Sequence, residues 1–237
     1  MTLNIAHRGF SGQYPENTMI AFEQALAAQA DGVETDVHLT RDGVIVICHD
    51  EDIRRTSNGI GTIAGQTYEE LLRWDFGAWK GQSGQRIPTL DALLGLIKDS
   101  GKLVNLELKN NLFRYEGMEQ MILDKLARLD MLEQVIFSSF NHASMGLVAQ
   151  LCPEAETALL YGNRVADPVA LARQYGVKGL HPAFETIDQA MVDRCHEAGL
   201  AVRPWTVNPP EIMQEMLALG VDAIITNEPA ALHRLMD

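Results

Sequence analysis

Two rhythms alternate along this chain. Short runs with apolar residues at every second position carry the period of a strand. Longer runs with apolar residues three and four apart carry the period of a helix. Leu3–Ala6 is the first short strand, and Asn17 or Thr18 can cap a helix over Met19–Gln29, where Ala21, Ala25 and Ala28 favour helix. Val33, Thr35, Val37 and Leu39 then alternate with Glu34, Asp36, His38 and Thr40, which marks a second strand. Thr40-Arg41-Asp42-Gly43 follows as a hairpin turn, Asp-Gly being the strongest short hairpin signal. Val44–Cys48 returns as an apolar strand that ends in His49-Asp50.

The rhythm breaks over residues 51–88, where glycines sit among polar residues with Trp74, Phe76 and Trp79 as isolated anchors and Glu69–Arg73 as a short helix. The stretch is expected to be an insertion lying over one end of the fold, and excursions of this length are often functional. Regularity then resumes in pairs. Strands are predicted over Lys102–Lys109, Gln134–Ser138, Thr157–Tyr161, Val177–His181, Ala201–Val207 and Ala223–Thr226. Helices are predicted over Thr89–Ser100, Gly117–Leu129, Ala143–Leu151, Pro168–Tyr175, Asp188–Ala198, Pro209–Leu219 and Pro229–Leu235. With the hairpin counted once, eight strand-then-helix units result. Such alternation implies a parallel sheet, and eight units over about 250 residues make a (β/α)₈ barrel. A doubly wound sheet is the alternative, but it needs no eighth strand and no polar residues at every strand end. The expected organisation is one barrel domain over residues 1–237.

Composition narrows the function classes. The 237 residues are 46% hydrophobic and 22% charged, an ordinary globular balance. Net charge is −13, which argues against a nucleic-acid partner and against stable association with an anionic membrane surface, since both need clustered Lys and Arg. The start, MTLNIAHRGF, has no basic stretch followed by an apolar run, so no signal peptide is expected. No window reaches the roughly 20 apolar residues of a membrane span. Cys48, Cys152 and Cys195 are odd in number and widely spaced, so they read as reduced thiols and not as a zinc site. A cytoplasmic enzyme with a small-molecule substrate fits these features.

Chemistry concentrates at the strand ends. Strand residues two apart share a face, so Glu34 and Asp36 project side by side, their Cβ atoms roughly 6 to 7 Å apart. Asn105, Glu107 and Lys109 likewise share one face of their strand. Three carboxylates near one pole repel unless neutralised, and their hard oxygens suit Mg²⁺ or Ca²⁺. A solvated edge strand for the first two, or an internal Glu107–Lys109 ion pair for the third, are the plain alternatives. Arg8 and Lys109 supply positive charge for an anion beside such a cation. His7 and His49 each end a strand, and imidazole suits acid–base work near neutral pH. Metal, arginine and two imidazoles together describe phosphodiester cleavage.

The pieces HRG at 7–9, PENT at 15–18, ETDVHLTRDGVIVICHD at 34–50, LELK at 106–109, AVRPWTV at 201–207 and DAIITNEP at 222–229 resemble the glycerophosphodiester phosphodiesterase family across the whole chain. The resemblance implies a TIM barrel with an inserted segment after the second strand. It implies hydrolysis of glycerophosphodiesters to sn-glycerol 3-phosphate and an alcohol. It implies Glu34, Asp36 and Glu107 as metal ligands, Arg8 as phosphate ligand, and His7 and His49 as base and acid. Asn227 departs from the family's usual Asp and reads as structural or rim-lining. Glu16 and Asn17 are expected to hold the first loop by hydrogen bonds. His181 and Trp205 are candidates for substrate contact, with a structural or core role equally open for each. Phe140, Trp74 and Trp79 stand where they could line the leaving-group side. His38, His142, His196 and His233 are expected at the surface or in structural roles. A barrel phospholipase of the D or C type acting on lysolipids is the nearest alternative, and a glycerophosphodiester-binding protein without catalysis is a more distant one.

Overall fold

The computed structural model describes residues 2–236. Its strands are β1 (Leu3–His7), β2 (Gly32–Leu39), β3 (Ile45–Ile47), β4 (Leu103–Leu108), β5 (Val135–Ser139), β6 (Glu156–Tyr161), β7 (Gly179–Pro182), β8 (Ala201–Val202) and β9 (Ala223–Thr226). Its helices are α1 (Met19–Ala27), α2 (Tyr68–Leu71), α3 (Leu90–Ile97), α4 (Met118–Leu129), α5 (His142–Leu151), α6 (Pro168–Tyr175), α7 (Gln189–Glu197), α8 (Pro210–Leu219) and α9 (Pro229–Met236). All strands except β3 are parallel, in the order β8-β7-β6-β5-β4-β2-β1-β9. This is the expected eightfold barrel.

Closure differs from the expectation at one place. The strand predicted over Ala201–Val207 shortens to Ala201–Val202, because Pro204 has no N–H to give to a ladder. The backbone nevertheless carries on between its neighbours. Arg203 N donates to Leu180 O at 2.9 Å and Trp205 N to Pro182 O at 3.0 Å. Asp222 N donates to Val202 O, Ile225 N to Pro204 O and Val207 N to Ile225 O, at 2.9 to 3.0 Å, joining the last two strands.

Alternation along the strands divides the molecule into an outer and an inner layer. Val33, Val37, Val104, Leu106 and Ile224 face outward and pack with Phe22, Leu93, Leu94, Ile122 and Leu126 of the helices. Ile5, Ala223 and Ile225 form a small separate cluster with Leu3 and Trp205. The helices begin on side chains of the expected type: Thr18, Thr89, Asn141, Asp167 and Asp188 each accept a backbone N–H of the first turn.

The hairpin places chemistry in a way the strand pattern does not reveal. The register of β2 with β4 ends at Val37↔Leu108, whereas β3 pairs with the tip of β2, from Leu39↔Ile45 to Val37↔Ile47. β2 therefore outruns the barrel, and β3 descends toward its mouth. Cys48 N donates to Asp36 O at 3.0 Å, which brings His49 down beside the carboxylates. The long segment after β3 has a core of its own, in which Ile53, Ile63, Leu71, Phe76 and Ile87 pack on Val46 and Cys48. Lys80 of this segment donates to Ser11 O of the loop after β1. Among the described residues, no helix is long and apolar enough to cross a membrane.

Candidate active site

β2 and β4 deliver the carboxylates. Glu34, Asp36 and Glu107 are 3%, 0% and 8% exposed, so the solvated-edge alternative fails. Asp36 pairs with Glu107 in the β2–β4 register, and one oxygen from each of the three carboxylates falls within 4.8 Å of the others. Burial, then Asp36 and Glu107, push the Glu34 carboxyl well above its ordinary value. Burial, then Asp36, push Glu107 up to about 7 although Lys109 opposes them. Burial would also raise Asp36, but Arg8, His49 and Lys109 outweigh it and hold that group below the usual carboxylate range.

The Glu107–Lys109 ion pair raised as the plain alternative is present: Lys109 Nζ lies 2.9 Å from Glu107 Oε1 and 3.8 Å from Asp36 Oδ1. It leaves the cluster incompletely satisfied, since Asp36 Oδ1 is buried without a hydrogen bond. Three converging buried carboxylates, one oxygen unpartnered and two groups resisting ionisation, make an oxygen-only set that fits a hard divalent cation.

The loop after β1 supplies the positive charge. Arg8 adopts a left-handed backbone, φ 55°, and so does Asn17, φ 57°. Such conformations are uncommon outside glycine and cluster at functional sites. Both residues turn their side chains to one carboxylate: Arg8 Nε lies 3.4 Å from Asp36 Oδ2, and Asn17 Nδ2 donates to the same oxygen at 2.8 Å. The Arg8 backbone N–H donates to Glu34 Oε2 at 3.0 Å. Gly9 is needed for the loop to dock, because its φ is +76° and a Cβ there would lie 2.6 Å from the Ala21 carbonyl carbon. Glu16 accepts from Arg8 Nη1 at 2.8 Å. Glu16 and Asn17 thus hold the loop, while Thr18 caps α1.

Each candidate histidine has a different partner behind it. His7 Nδ1 lies 2.6 Å from Asn227 Oδ1, and its Nε2 lies 3.9 Å from Glu34 Oε2. An amide oxygen only accepts, so the His7 proton sits on Nδ1 and Nε2 keeps its lone pair. Burial, reinforced by Arg8, lowers His7 to about 4. His49 Nδ1 lies 2.5 Å from Asp50 Oδ1, and its Nε2 lies 3.2 Å from Lys109 Nζ. His38, buried and not superficial, bridges Tyr115 OH at 3.0 Å and the His49 carbonyl at 3.2 Å.

A cleft joins these groups. His7, Arg8, Glu34, His49 and Glu107 form its polar side, and Phe140, Leu160, Trp205 and Ile225 its apolar side. The Phe140 and Trp205 rings meet edge to face, 5.6 Å between centroids. Asp36 and Lys109 lie behind this wall. His181 is fully buried and absent from the cleft lining, with burial and Arg203 holding its pKa well below normal. Trp74 packs against the core of the inserted segment, and Trp79 is exposed with Lys80 over its ring, so neither lines the cleft. Sequence reasoning missed the partners Asp50 and Arg55 and the contact from Asn227 to His7. Asp50 adjoins His49 and was within reach; Arg55 carries no local signal.

The sequence profile of the Glycerophosphoryl diester phosphodiesterase family matches residues 7–231. A glycerophosphodiester phosphodiesterase of Caldanaerobacter subterraneus is 40% identical over 99% of this chain and 98% of its own length. One from Bacillus altitudinis is 39% identical over 97% of this chain and 96% of its own length. The structure of an Oleispira antarctica phosphodiesterase in complex with the product sn-glycerol-3-phosphate is similar, with a TM-score of 0.86 and 32% identity over 98% of this chain and 96% of that one. With its barrel, its buried carboxylates and a match over nearly its entire length, this chain belongs to the glycerophosphoryl diester phosphodiesterase family.

Proposed function

We infer that this protein hydrolyses glycerophosphodiesters to sn-glycerol 3-phosphate and an alcohol, with a divalent cation held by Glu34, Asp36 and Glu107. The observation that carries the reading is the cluster of these three buried carboxylates beside one cleft, which Glu34, Glu107, Arg8, His7 and His49 line. The cation, Mg²⁺ or Ca²⁺, supplies Lewis-acid stabilisation of charge on the phosphate oxygens. The remaining work falls to the chain's own side chains. Arg8 presents its guanidinium to a non-bridging oxygen, and its contacts to Glu16 and Asp36 keep it aimed. His7, neutral because of its burial and carrying its proton on Nδ1, offers Nε2 as the base toward the attacking hydroxyl.

His49, fixed through Nδ1 on Asp50, offers Nε2 as the acid toward the departing alkoxide. For that step Nε2 must be protonated, and Lys109 must turn from Nε2 to the phosphate. Phe140 and Trp205 give an apolar wall to the carbon skeleton of the substrate. Release of sn-glycerol 3-phosphate from glycerophosphocholine, followed with and without EDTA and with Mg²⁺ or Ca²⁺ restored, tests the reading. EDTA-resistant turnover defeats the metal role, and no turnover with either cation defeats the substrate class. The same assay with a lysophospholipid addresses the phospholipase alternative.

A further inference from the structure

We propose that Arg55, in the segment inserted after β3, is a positioning residue that ties the phosphate-binding arginine and the acid histidine into one body; the proposal rests on the function inferred above.

Two adjacent arginines set the contrast. Arg54 bonds only to Asp52, two residues away, and its side chain is 72% exposed. Arg55 reaches across 39 residues of sequence to Glu16. Its Nη1 donates to Glu16 Oε2 at 2.9 Å and its Nη2 to Glu16 Oε1 at 2.8 Å. From another edge of the same plane, its Nε donates to Asp50 Oδ2 at 2.5 Å and its Nη2 to Asp50 Oδ1 at 3.3 Å. The guanidinium therefore forks onto two carboxylates at once. Only its fixed planar array of donors can do this, and an ammonium cannot.

Each of those carboxylates has a second partner in the cleft. Glu16 Oε1 accepts from Arg8 Nη1 at 2.8 Å, and Asp50 Oδ1 faces His49 Nδ1 at 2.5 Å. The side chains form a continuous path, Arg8–Glu16–Arg55–Asp50–His49, from the end of β1 to the end of β3. These ends approach the mouth from opposite directions and share no ladder, so the path fixes their spacing. Burial would raise both carboxyls, but the bonds from Arg55 and their other partners outweigh it and keep Glu16 and Asp50 ionised. Without Arg55, Glu16 keeps Arg8 and Asp50 keeps His49, but the two carboxylates lose the cation that lies between them. Asp50 is then free to leave His49, and the imidazole loses the acceptor that fixes its orientation. Half-exposed ion pairs add little to stability, so the effect of Arg55 belongs in the chemistry and not in the fold.

The test uses Arg55→Lys, which keeps the charge and removes the fork, with Arg55→Ala beside it. Substrates are glycerophosphocholine and an aryl ester of glycerol phosphate, whose leaving group needs no acid. Positioned acid–base groups are worth about 10²–10⁴ in rate. Partial misplacement of His49 is expected to lower kcat on glycerophosphocholine roughly 10- to 100-fold, and on the aryl ester several-fold at most. KM is expected to rise on both substrates through Arg8. In proton NMR, the His49 Nδ1–H resonance of the bond to Asp50, assigned with His49→Gln, is expected to broaden or vanish in Arg55→Lys. Equal loss on both substrates, unchanged kinetics in both variants, or an intact Nδ1–H resonance in Arg55→Lys overturns the proposal. The resonance is read without turnover. An inactive wild-type protein would therefore defeat the inferred function while the spectrum still decided the role of Arg55.

Discussion

Glu107→Gln should be more stable than wild type without metal and less stable than wild type with saturating metal. In the metal-free protein, Glu107 is raised from 4.5 to about 7, a displacement of roughly 2.5 in pKa, and about 1.4 kcal/mol per unit makes this about 3 kcal/mol. The sign follows from where the proton sits. Between pH 4.5 and 7 the folded chain holds a proton that the unfolded chain has released. The stability this gives is fully present below pH 4.5 and is lost as pH rises through about 7. Gln at 107 carries no charge at any pH and suffers no such loss. In EDTA at pH 8, Glu107→Gln should exceed wild type by about 2–3 kcal/mol, or roughly 5–10 °C in Tm for a chain of this length. At pH 5 the gap should nearly close. Added Mg²⁺ or Ca²⁺ closes this gap and then reverses it, since a cation at 100 times its Kd stabilises wild type by about 2.7 kcal/mol and at 1,000 times by about 4.1 kcal/mol, while the variant offers it two carboxylates in place of three. Thermal unfolding at pH 5 and 8, with and without metal, reads all of this. A variant no more stable than wild type in EDTA at pH 8, or a gap unchanged at pH 5, would refute the reasoning.

Further perturbations probe the other groups. Glu34→Gln, nearly constant in shape, should abolish turnover while far-UV circular dichroism stays unchanged; full EDTA-resistant activity would sink the metal assignment. Arg8→Lys should lose most of kcat/KM, because a point charge replaces a planar fork, and an unchanged value would return Arg8 to a loop-holding role. His49→Ala should lose about 10²–10⁴ on glycerophosphocholine and much less on an aryl phosphodiester, whereas His7→Ala should suffer on both. The same pattern with the residues exchanged would reverse acid and base.

What was legible in the sequence was whatever repeats or sits next to its partner. Alternation at 33–40 and at 103–109 gave β2 and β4 and put Glu34, Asp36, Asn105 and Glu107 on inward faces, because the period of a strand is a property of a few consecutive residues. The last strand was legible as Ala223–Thr226, whereas the length of β8 was not, because Pro204 interrupts a ladder without bending the chain away. Asn17 looked like a cap beside Thr18; only the folded loop shows that its left-handed backbone sends its amide to Asp36. For His38 a surface and a structural role were both open; only the fold shows the structural one, in which the ring meets Tyr115 and the His49 carbonyl. Arg55 and Glu16 lie 39 residues apart, and no local rule connects them.

The bond from His7 to Asn227 spans 220 residues of sequence. It lies where β1 meets β9, the pairing that closes the barrel at the ends of the chain. Bringing such distant segments together is slow relative to local contacts, and β9 follows every other strand of the barrel in the chain. A chain that lacks β9 can hold the three carboxylates on β2 and β4 and still leave His7 without its Asn227 partner. The cleft around His7 is therefore completed only when β9 has docked on β1. Turnover doubles as a report that β1 and β9 have met, and a circular permutant joining residues 2 and 236 while opening an outer loop should keep that report intact.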